Sequence, residues 1–191
     1  MSLTYFEDQI YTHESFNRFP LGEYENCKFV SCDFSDVDLS SCVFLSCEFS
    51  GCNLSMVKIA KASFQEVTFS DCKLLGMRWD SCNPFGISLG FSNCILSHSS
   101  FYKLKIKNTN FKSCQLQEVD FTEAELNNAS FDGCDLKGAV FSGTNLERAD
   151  FRTAVNFSID PEGNRIRKAK FSLSGVRGLL DKYGVEIDIN N

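Results

Sequence analysis

Large apolar residues recur at every fifth position over most of the chain. A first run extends from Tyr24 to Trp79, and a second run, shifted by two residues, extends from Phe91 to Phe151. Most of the intervening residues are polar. A period of five matches neither the 3.6-residue period of an α-helix nor the two-residue period of a β-strand. The backbone must therefore turn a corner once per repeat, and this pattern predicts a solenoid.

A smaller inward position lies two residues before each large one. Cysteine, alanine, serine, threonine or valine occupies it in most repeats, and all ten cysteines keep its five-residue register. One large and one small inward residue per side suits a narrow solenoid, because a second bulky side chain would overpack the axis. We therefore expect the cysteines to be small buried residues with free thiols. Their spacing lacks the paired pattern of a zinc site, and no metal or other cofactor is expected.

The repeat units resemble those of a known family. CDFSD, CNLSM, CDLKG and ADFRT are similar to the units of pentapeptide-repeat proteins, and the resemblance covers about residues 24–155. It implies an all-β solenoid, a right-handed quadrilateral β-helix with four pentapeptides, or twenty residues, in each coil.

Charge spacing supports a twenty-residue coil, because residues twenty apart would be cross-strand neighbours. Opposite charges have this spacing in Lys28/Glu48, Asp38/Lys58, Lys103/Glu123, Lys105/Glu125 and the series Lys112/Asp132/Arg152. In the second run phenylalanine alternates with leucine or isoleucine. This alternation predicts phenylalanine stacks on two opposite faces and aliphatic stacks on the other two.

The period divides the chain into segments. Residues 1–23 keep aromatic residues five apart and are predicted to form a capping coil before the first repeat run at 24–79. Residues 80–90 contain Pro84, Gly86 and Gly90 and indicate a kink or bulge before the second run at 91–157.

The C-terminal segment, 158–191, loses the five-residue period. Val176, Leu179, Leu180 and Tyr183 follow helical spacing and predict a short amphipathic helix, and a strand is predicted through Val185, Ile187 and Ile189. A short helix cannot bury its apolar face alone, so it either caps the rod or contacts a partner. We expect a homodimer, and its interface residues are predicted to be Phe171, Val176, Leu179, Leu180 and Tyr183.

Composition narrows the function classes. The 191 residues suit one domain, and the net charge is −6. No segment is long and apolar enough to cross a membrane, and the first residues lack signal-peptide features, so we expect a cytoplasmic protein. Two histidines and the lack of a nucleophile, phosphate-loop or paired-carboxylate motif favour a protein that is not an enzyme.

Three further features are similar to one branch of the family, the topoisomerase-protecting group. This group includes the Qnr quinolone-resistance proteins and the albicidin and microcin B17 self-immunity proteins. The features are the interruption after LLGMRW, the stretch IDPEGNRIRKAKFSL and the tail VRGLLDKYGVEI. The resemblance implies a dimeric rod that imitates DNA, binds DNA gyrase or topoisomerase IV and protects it from quinolones or other poisons.

Charge varies along the chain. Residues 1–57 carry nine acidic and two basic side chains, and residues 113–160 carry nine and three. DNA imitation would have to be local, because the net charge is far below that of a duplex. The acids favoured for partner contact lie nearer the expected dimer centre and are Glu118, Asp120, Glu123, Glu125, Asp132 and Asp135; the other set is Asp33, Asp36, Asp38 and Glu48.

Two other functions stay open. One is a rigid scaffold for a different protein partner, and a continuous stripe of surface acids would argue against it. The other is direct nucleic-acid binding through the basic clusters at 103–112 and 165–170. The acidic isoelectric point near 5.0 and the lack of outward aromatic residues disfavour the second.

Overall fold

The computed structural model describes residues 4–188 as a β-solenoid. Its strands are β1 Thr4–Glu7, β2 Ile10–Thr12, β3 Gly22–Glu25, β4 Lys28–Val30, β5 Val43–Leu45, β6 Glu48–Ser50, β7 Ser63–Gln65, β8 Val67–Ser70, β9 Leu89–Ser92, β10 Asn110–Lys112 and β11 Ser130–Asp132. Short 3-10 helices span Trp79–Ser81, Gly175–Leu179 and Asp181–Tyr183. The strands form two parallel sheets, β1-β3-β5-β7 and β2-β4-β6-β8-β9-β10-β11. The predicted β-helix is confirmed.

The large residues of successive coils form four columns, which define four faces. Face 1 contains Phe6, Tyr24, Phe44, Phe64, Ile106, Leu126, Leu146 and Ile166. Face 2 contains Tyr11, Phe29, Phe49, Phe69, Phe91, Phe111, Phe131, Phe151 and Phe171. Face 3 contains Phe16, Phe34, Leu54, Leu74, Leu96, Leu116 and Leu136. Face 4 contains Leu39, Ile59, Trp79, Phe101, Phe121 and Phe141.

Aromatic rings stack along the columns. The nine rings of face 2 form one ladder from Tyr11 to Phe171, with centroid separations of 4.6–5.4 Å and interplanar angles of at most 17°. A second ladder runs from Trp79 to Phe141 on face 4. Rings of the two ladders meet edge to face, as Phe111 and Phe121 do at 6.0 Å. The predicted opposite phenylalanine stacks are therefore confirmed, in the two geometries that aromatic pairs prefer.

The small inward residues do more than save space. Cys52 donates through Sγ to the Phe29 carbonyl at 3.3 Å, and Thr144 donates through Oγ1 to the Phe121 carbonyl at 2.8 Å. These carbonyls belong to large residues of the coil below, so the small inward residues hold neighbouring coils together by hydrogen bonds. All ten cysteines are buried with free thiols, as predicted. Desolvation raises the pKa of the Cys47 thiol to about 12.

Most corners contain a residue with left-handed backbone. Met56, Lys61 and Glu66 have φ values of 58°, 60° and 54° two residues after a large residue, and Gly76 has φ 67° at the next corner of the Met56 column. A non-glycine residue pays about 1–2 kcal/mol for this conformation. The fold therefore stores strain at many corners, which the stacked coils offset.

Two coils depart from twenty residues. At the N-terminus the register offset is eighteen, with Tyr11 opposite Phe29, and Phe19 packs beside Phe16 and Phe34. Between β8 and β9 the offset is twenty-two, with Phe69 opposite Phe91. The face 2 ladder continues across this step, because these two rings are 5.4 Å apart. The two extra residues form a bulge on face 1 and leave Phe85 81% exposed.

The C-terminal segment folds over the end of the rod. The Gly178 carbonyl accepts a hydrogen bond from the Ile159 amide at 2.8 Å. A Cβ at Gly178 would lie 2.2 Å from the Phe157 carbonyl oxygen, so only glycine allows this approach. Lys182 Nζ lies 2.6 Å from carboxylate oxygens of both Asp160 and Glu162 and fastens the tail.

The predicted short helix of this segment is present but is of a different type, and the predicted strand is wrong. The predicted amphipathic helix consists of two 3-10 helices, and residues 4–188 contain no α-helix. Gly175 and Gly178 disfavour a regular helix and instead permit close packing on Phe157. The predicted strand is absent from residues 185–188, which have no regular structure, and Ile189 lies outside the described residues.

Corner strain predicts that Lys61→Gly stabilises the fold. Glycine removes a left-handed penalty of about 1–2 kcal/mol but costs about 0.5–1 kcal/mol of chain entropy. We expect a net gain of roughly 0.5 kcal/mol in the free energy of unfolding, measured by urea denaturation. Lys58→Gly is the matched control, because Lys58 is an exposed lysine in extended backbone on face 4, three residues before the corner at Lys61. It should lose stability, and equal effects of the two variants would contradict the strain argument.

Candidate partner-binding surface

The favoured acids do not form a stripe. Asp120 lies on face 4, Glu125 on face 1, Asp132 on face 2 and Asp135 on face 3. The other two, Glu118 and Glu123, occupy corners with φ near 55°. The six therefore run around most of a single coil, from Glu118 to Asp135, and no two of them share a column. The structure does not bring the six together along the rod.

Neighbouring cations neutralise part of this set. Lys103 lies 3.5 Å from Glu123, and Glu125 is contacted by Lys105 at 3.5 Å and by Lys107 at 2.8 Å. The hydrogen bond from Lys107, followed by the charge of both lysines, lowers the pKa of Glu125. These pairs confirm two of the predicted twenty-residue ladders. They also reduce the negative potential that a DNA-imitating surface would need.

The remaining acids of the set make local contacts. His98 Nδ1 lies 3.2 Å from Glu118, and the Thr122 amide donates to Asp120 at 2.8 Å. Burial raises the pKa of Asp135, but hydrogen bonds from Asn156 and Gln117 more than offset this and leave it lowered.

In the predicted series Lys112/Asp132/Arg152, Lys112 and Asp132 are neighbours in the parallel sheet, but no ion pair joins members of the series in the described part of the chain. Asp132 accepts a hydrogen bond from Thr153 at 2.7 Å. Arg152 forks onto Asp150, two residues away, rather than onto Asp132. Arg152 therefore contacts a carboxylate two residues away in its own coil and not the carboxylate of Asp132 in the neighbouring coil.

The first coils carry acids with few cationic neighbours. Of the nine acids in residues 1–57, Glu48 alone forms an ion pair in the described chain, with Lys28 at 3.1 Å. Asp33 and Asp38 accept hydrogen bonds from the amides two residues later, at 3.0 and 2.9 Å, which lower their pKa values. The net charge of −7 in this segment was visible in the sequence, but its lack of partners required the structure.

The predicted dimer residues divide into two groups. Phe171 ends the face 2 ladder, 5.3 Å from Phe151, and Leu179 packs against the core. Val176 and Tyr183 are exposed. Leu173, which sequence reasoning missed, is 92% exposed, and Val185 and Ile187 extend the apolar surface. A cavity of about 610 Å³ lies between residues 154–157 and 174–181 beside this surface.

Comparison with known proteins assigns the family. A family model described as a pentapeptide repeat region matches residues 22–90 and 87–155.

The chain is a pentapeptide-repeat protein. Its fold is similar to that of a trypsin-treated form of QnrB1, described as a plasmid-mediated fluoroquinolone resistance protein. That likeness has 17% identity and a TM-score of 0.66 and covers 96% of this chain and 100% of the other. HetL of the cyanobacterium Nostoc sp. strain PCC 7120, described as involved in heterocyst differentiation regulation, has 16% identity and a TM-score of 0.53 over 91% of this chain and 89% of the other. No curated protein sequence matches the chain.

Two kinds of feature are absent from the described part of this pentapeptide-repeat protein. Within residues 4–188 no cluster of three or more histidine, cysteine, aspartate or glutamate side chains is arranged to hold a metal ion. The same residues include no helix long and apolar enough to span a bilayer. Repeat solenoids present extended surfaces built on rigid coils. The fold is a scaffold, and its function depends on what the outward residues contact.

The Glu125 contacts predict an unequal response to removing each lysine. Lys107→Gln should raise the Glu125 pKa more than Lys105→Gln, because Lys107 is closer and donates the dominant hydrogen bond. Side-chain NMR titration measures both shifts. A lowered folded-state pKa stabilises the fold above the unfolded pKa, and this is lost as pH falls through the folded value. Lys107→Gln should therefore also weaken the acid dependence of stability. Equal shifts in the two variants would contradict the assigned contacts.

Proposed function

We propose that this protein binds DNA gyrase or topoisomerase IV and protects it from quinolones or other topoisomerase poisons. The observation that carries the proposal is the end-to-end fold likeness to QnrB1, which includes the C-terminal segment beyond the repeats. The narrow, rigid rod adds a physical reason, because it offers a fixed elongated surface to a DNA-binding groove. Protection would act by occupying the DNA site, without catalysis.

The rod supports local rather than complete imitation of DNA. Nine ring levels separated by about 4.8 Å span roughly 38 Å, the length of about eleven base pairs. A duplex of that length carries about twenty-two phosphate charges, one per 1.7 Å. The chain has a net charge of −6. Contact through a limited anionic zone is therefore required, and the first coils favour it because their acids have few cationic partners.

The proposal includes a cytoplasmic homodimer joined through the C-terminal tails. Val176, Val185 and Ile187 are exposed around Tyr183 and form an apolar surface at one end of the rod. An end-to-end dimer would bury this surface and double the length of the rod. Phe171 and Leu179 would support the interface from within, since both already pack on the core.

An interaction scaffold for a different protein is the second candidate. The distribution of the six favoured acids around the coil supports it, because no continuous stripe exists along the part of the rod that contains them. The fold likeness to HetL also spans most of both chains. The two candidates share the rod and differ in the partner.

Gyrase supercoiling in the presence of ciprofloxacin tests the topoisomerase proposal. A titration of purified protein should restore supercoiling at substoichiometric to equimolar ratios. Inhibition without rescue, or no effect on either activity, would contradict protection and favour the scaffold function.

Two matched triple variants locate the contact within this assay. Asp33→Asn, Asp36→Asn and Asp38→Asn remove three charges from faces 3 and 4 of the first coils and keep the side-chain oxygens that accept the amide hydrogen bonds. Glu118→Gln, Glu123→Gln and Glu125→Gln remove three from the central coil. We expect the first triple to raise the protective concentration at least tenfold and the second to have a smaller effect, because two of its acids are already paired with lysines. The reverse order would identify the central acids as the contact.

The tail surface predicts a dimer that exposed-site substitutions disrupt. Val176→Asp with Val185→Asp should give a soluble monomer by light scattering at high salt, where contacts between exposed charges are screened, because both side chains are exposed and their charges would oppose burial. Leu179 is unsuitable for this test, since it packs on the core. Val140→Asp, also at an exposed valine but on face 4, is the control and should leave the dimer intact. If this double variant remained a dimer, the tail would cap the rod without forming the dimer interface.

A further inference from the structure

Face 1 and its edge with face 2 separate charge along the rod. Below the bulge, the outward residues of this surface include five acids and no lysine or arginine: Glu7, Asp8, Glu23, Glu25 and Glu66. Above the bulge, the cations are Lys105, Lys107, Arg148, Arg165, Arg167 and Lys168, and the acids are Glu125 and Glu147. The lower half therefore has charge −5 and the upper half +4, from the residues just named.

Most of these charges lack an ion-pair partner in the described part of the chain. Arg148, Arg165, Arg167 and Lys168 form no ion pair within 4.0 Å among the residues that the structure describes. Like charges are neighbours in the acidic half, since Glu7 lies directly opposite Glu25 in the parallel sheet. Such neighbours destabilise a sheet. Each end therefore gains from a partner surface of opposite charge.

The bulge lies at the midpoint between these ends. Asn83 donates to Ser63 Oγ at 2.9 Å and the Ser88 amide to the Phe64 carbonyl at 3.0 Å, which places the bulge one coil above Phe64. Phe6 lies four coils below the bulge and Ile166 four coils above, roughly 19 Å in each direction. Phe85, 81% exposed, protrudes at this central level.

We propose that two copies of this chain pair side by side and antiparallel through face 1. The two-fold axis passes near Phe85, so the acidic half of each copy faces the basic half of the other. This interface is isologous and closes as a dimer. A groove of about 530 Å³ is lined by Arg148, Lys168, Lys170 and Asp150, whose carboxylate Arg152 already binds, and the three cations there can receive carboxylate side chains of the partner copy. The pairing is independent of the proposed tail dimer and of topoisomerase protection.

Charge reversal in full-length chains tests the pairing. Arg165→Glu with Arg167→Glu takes the upper half from +4 to 0, and Glu7→Lys with Glu23→Lys takes the lower half from −5 to −1, so each variant keeps one charged half and loses the complementary one. Each variant alone should lose the lateral contact, whereas a mixture should form a one-to-one complex. Native mass spectrometry at low salt should show this hetero-complex in excess over the 1:2:1 ratio expected from random exchange through the tails. A random ratio, or no complex, would overturn the proposal. Binding of a DNA duplex that Arg165→Glu with Arg167→Glu abolishes, without the hetero-complex, would overturn it in favour of a nucleic-acid partner.

Cross-linking tests the position of the axis without altering charge. In Phe85→Cys the new thiol is exposed while the ten native cysteines are buried. The two introduced thiols, one from each copy, should form an intermolecular disulfide near the axis when diamide oxidises them and is itself reduced to the hydrazine. Met56→Cys is the control, because Met56 is exposed at the corner between faces 3 and 4. We expect at least tenfold faster cross-linking at position 85, and equal rates would contradict an axis at the bulge.

Discussion

The stacking of inward rings at the coil spacing is the constraint on which the rest of this structure depends. Along face 2 the centroid separation stays between 4.6 and 5.4 Å over nine levels. This separation is also the distance between hydrogen-bonded strands, so ring contact and backbone pairing are satisfied together. The number of residues in a coil is less important than the alignment of these rings. Offsets of eighteen and twenty-two residues are accommodated because the missing and the extra residues lie outside the face 2 ladder, the extra ones in the bulge on face 1.

The backbone limits what can occupy the remaining positions. Inward slots two residues before each ring must be small, and those with a donor also bind a carbonyl of the coil below, as Cys72 does to Phe49 at 3.4 Å. Cysteine combines small size with a weak donor and tolerates burial. Corners must accept positive φ, which aspartate, asparagine and glycine adopt at low cost and lysine or methionine at higher cost. Faces between corners carry no such limit, so outward residues are free to vary for function.

The five-residue period was enough to predict a solenoid, the buried cysteines and the opposite phenylalanine stacks, and the family resemblance implied the β-helix. Each depends on contacts that repeat, and repetition is visible in a sequence. The C-terminal helix type was missed because Gly178 is dictated by one close approach to Phe157, which occurs once. The candidate acids were chosen by position along the chain. Their places on different faces follow from the same period, so assigning each residue to its column would have shown that they do not align.

Ion-pair geometry was predictable only in part. A spacing of twenty residues gives two side chains the opportunity to meet, as Lys28 and Glu48 do. A neighbour two residues away competes for the same carboxylate, and Arg152 takes Asp150 through such a contact with two hydrogen bonds. The bidentate geometry of arginine favours this choice. Sequence spacing identifies candidate ion-pair partners, but which pair forms depends on which side chain can donate two hydrogen bonds to the carboxylate.

The distribution of charge over the faces determines which partners the rod can bind at the same time. DNA presents phosphates uniformly, whereas face 1 of this rod changes sign at its midpoint. A groove that accepts DNA along its full length would meet attraction at one end of face 1 and repulsion at the other. Productive topoisomerase contact would therefore use acids of the first coils that lie away from face 1, such as Asp33 and Asp38. Lateral pairing would use face 1 itself and cover its cations. The two associations are thus compatible on different faces, and pairing would make the exposed remainder of the rod more uniformly acidic.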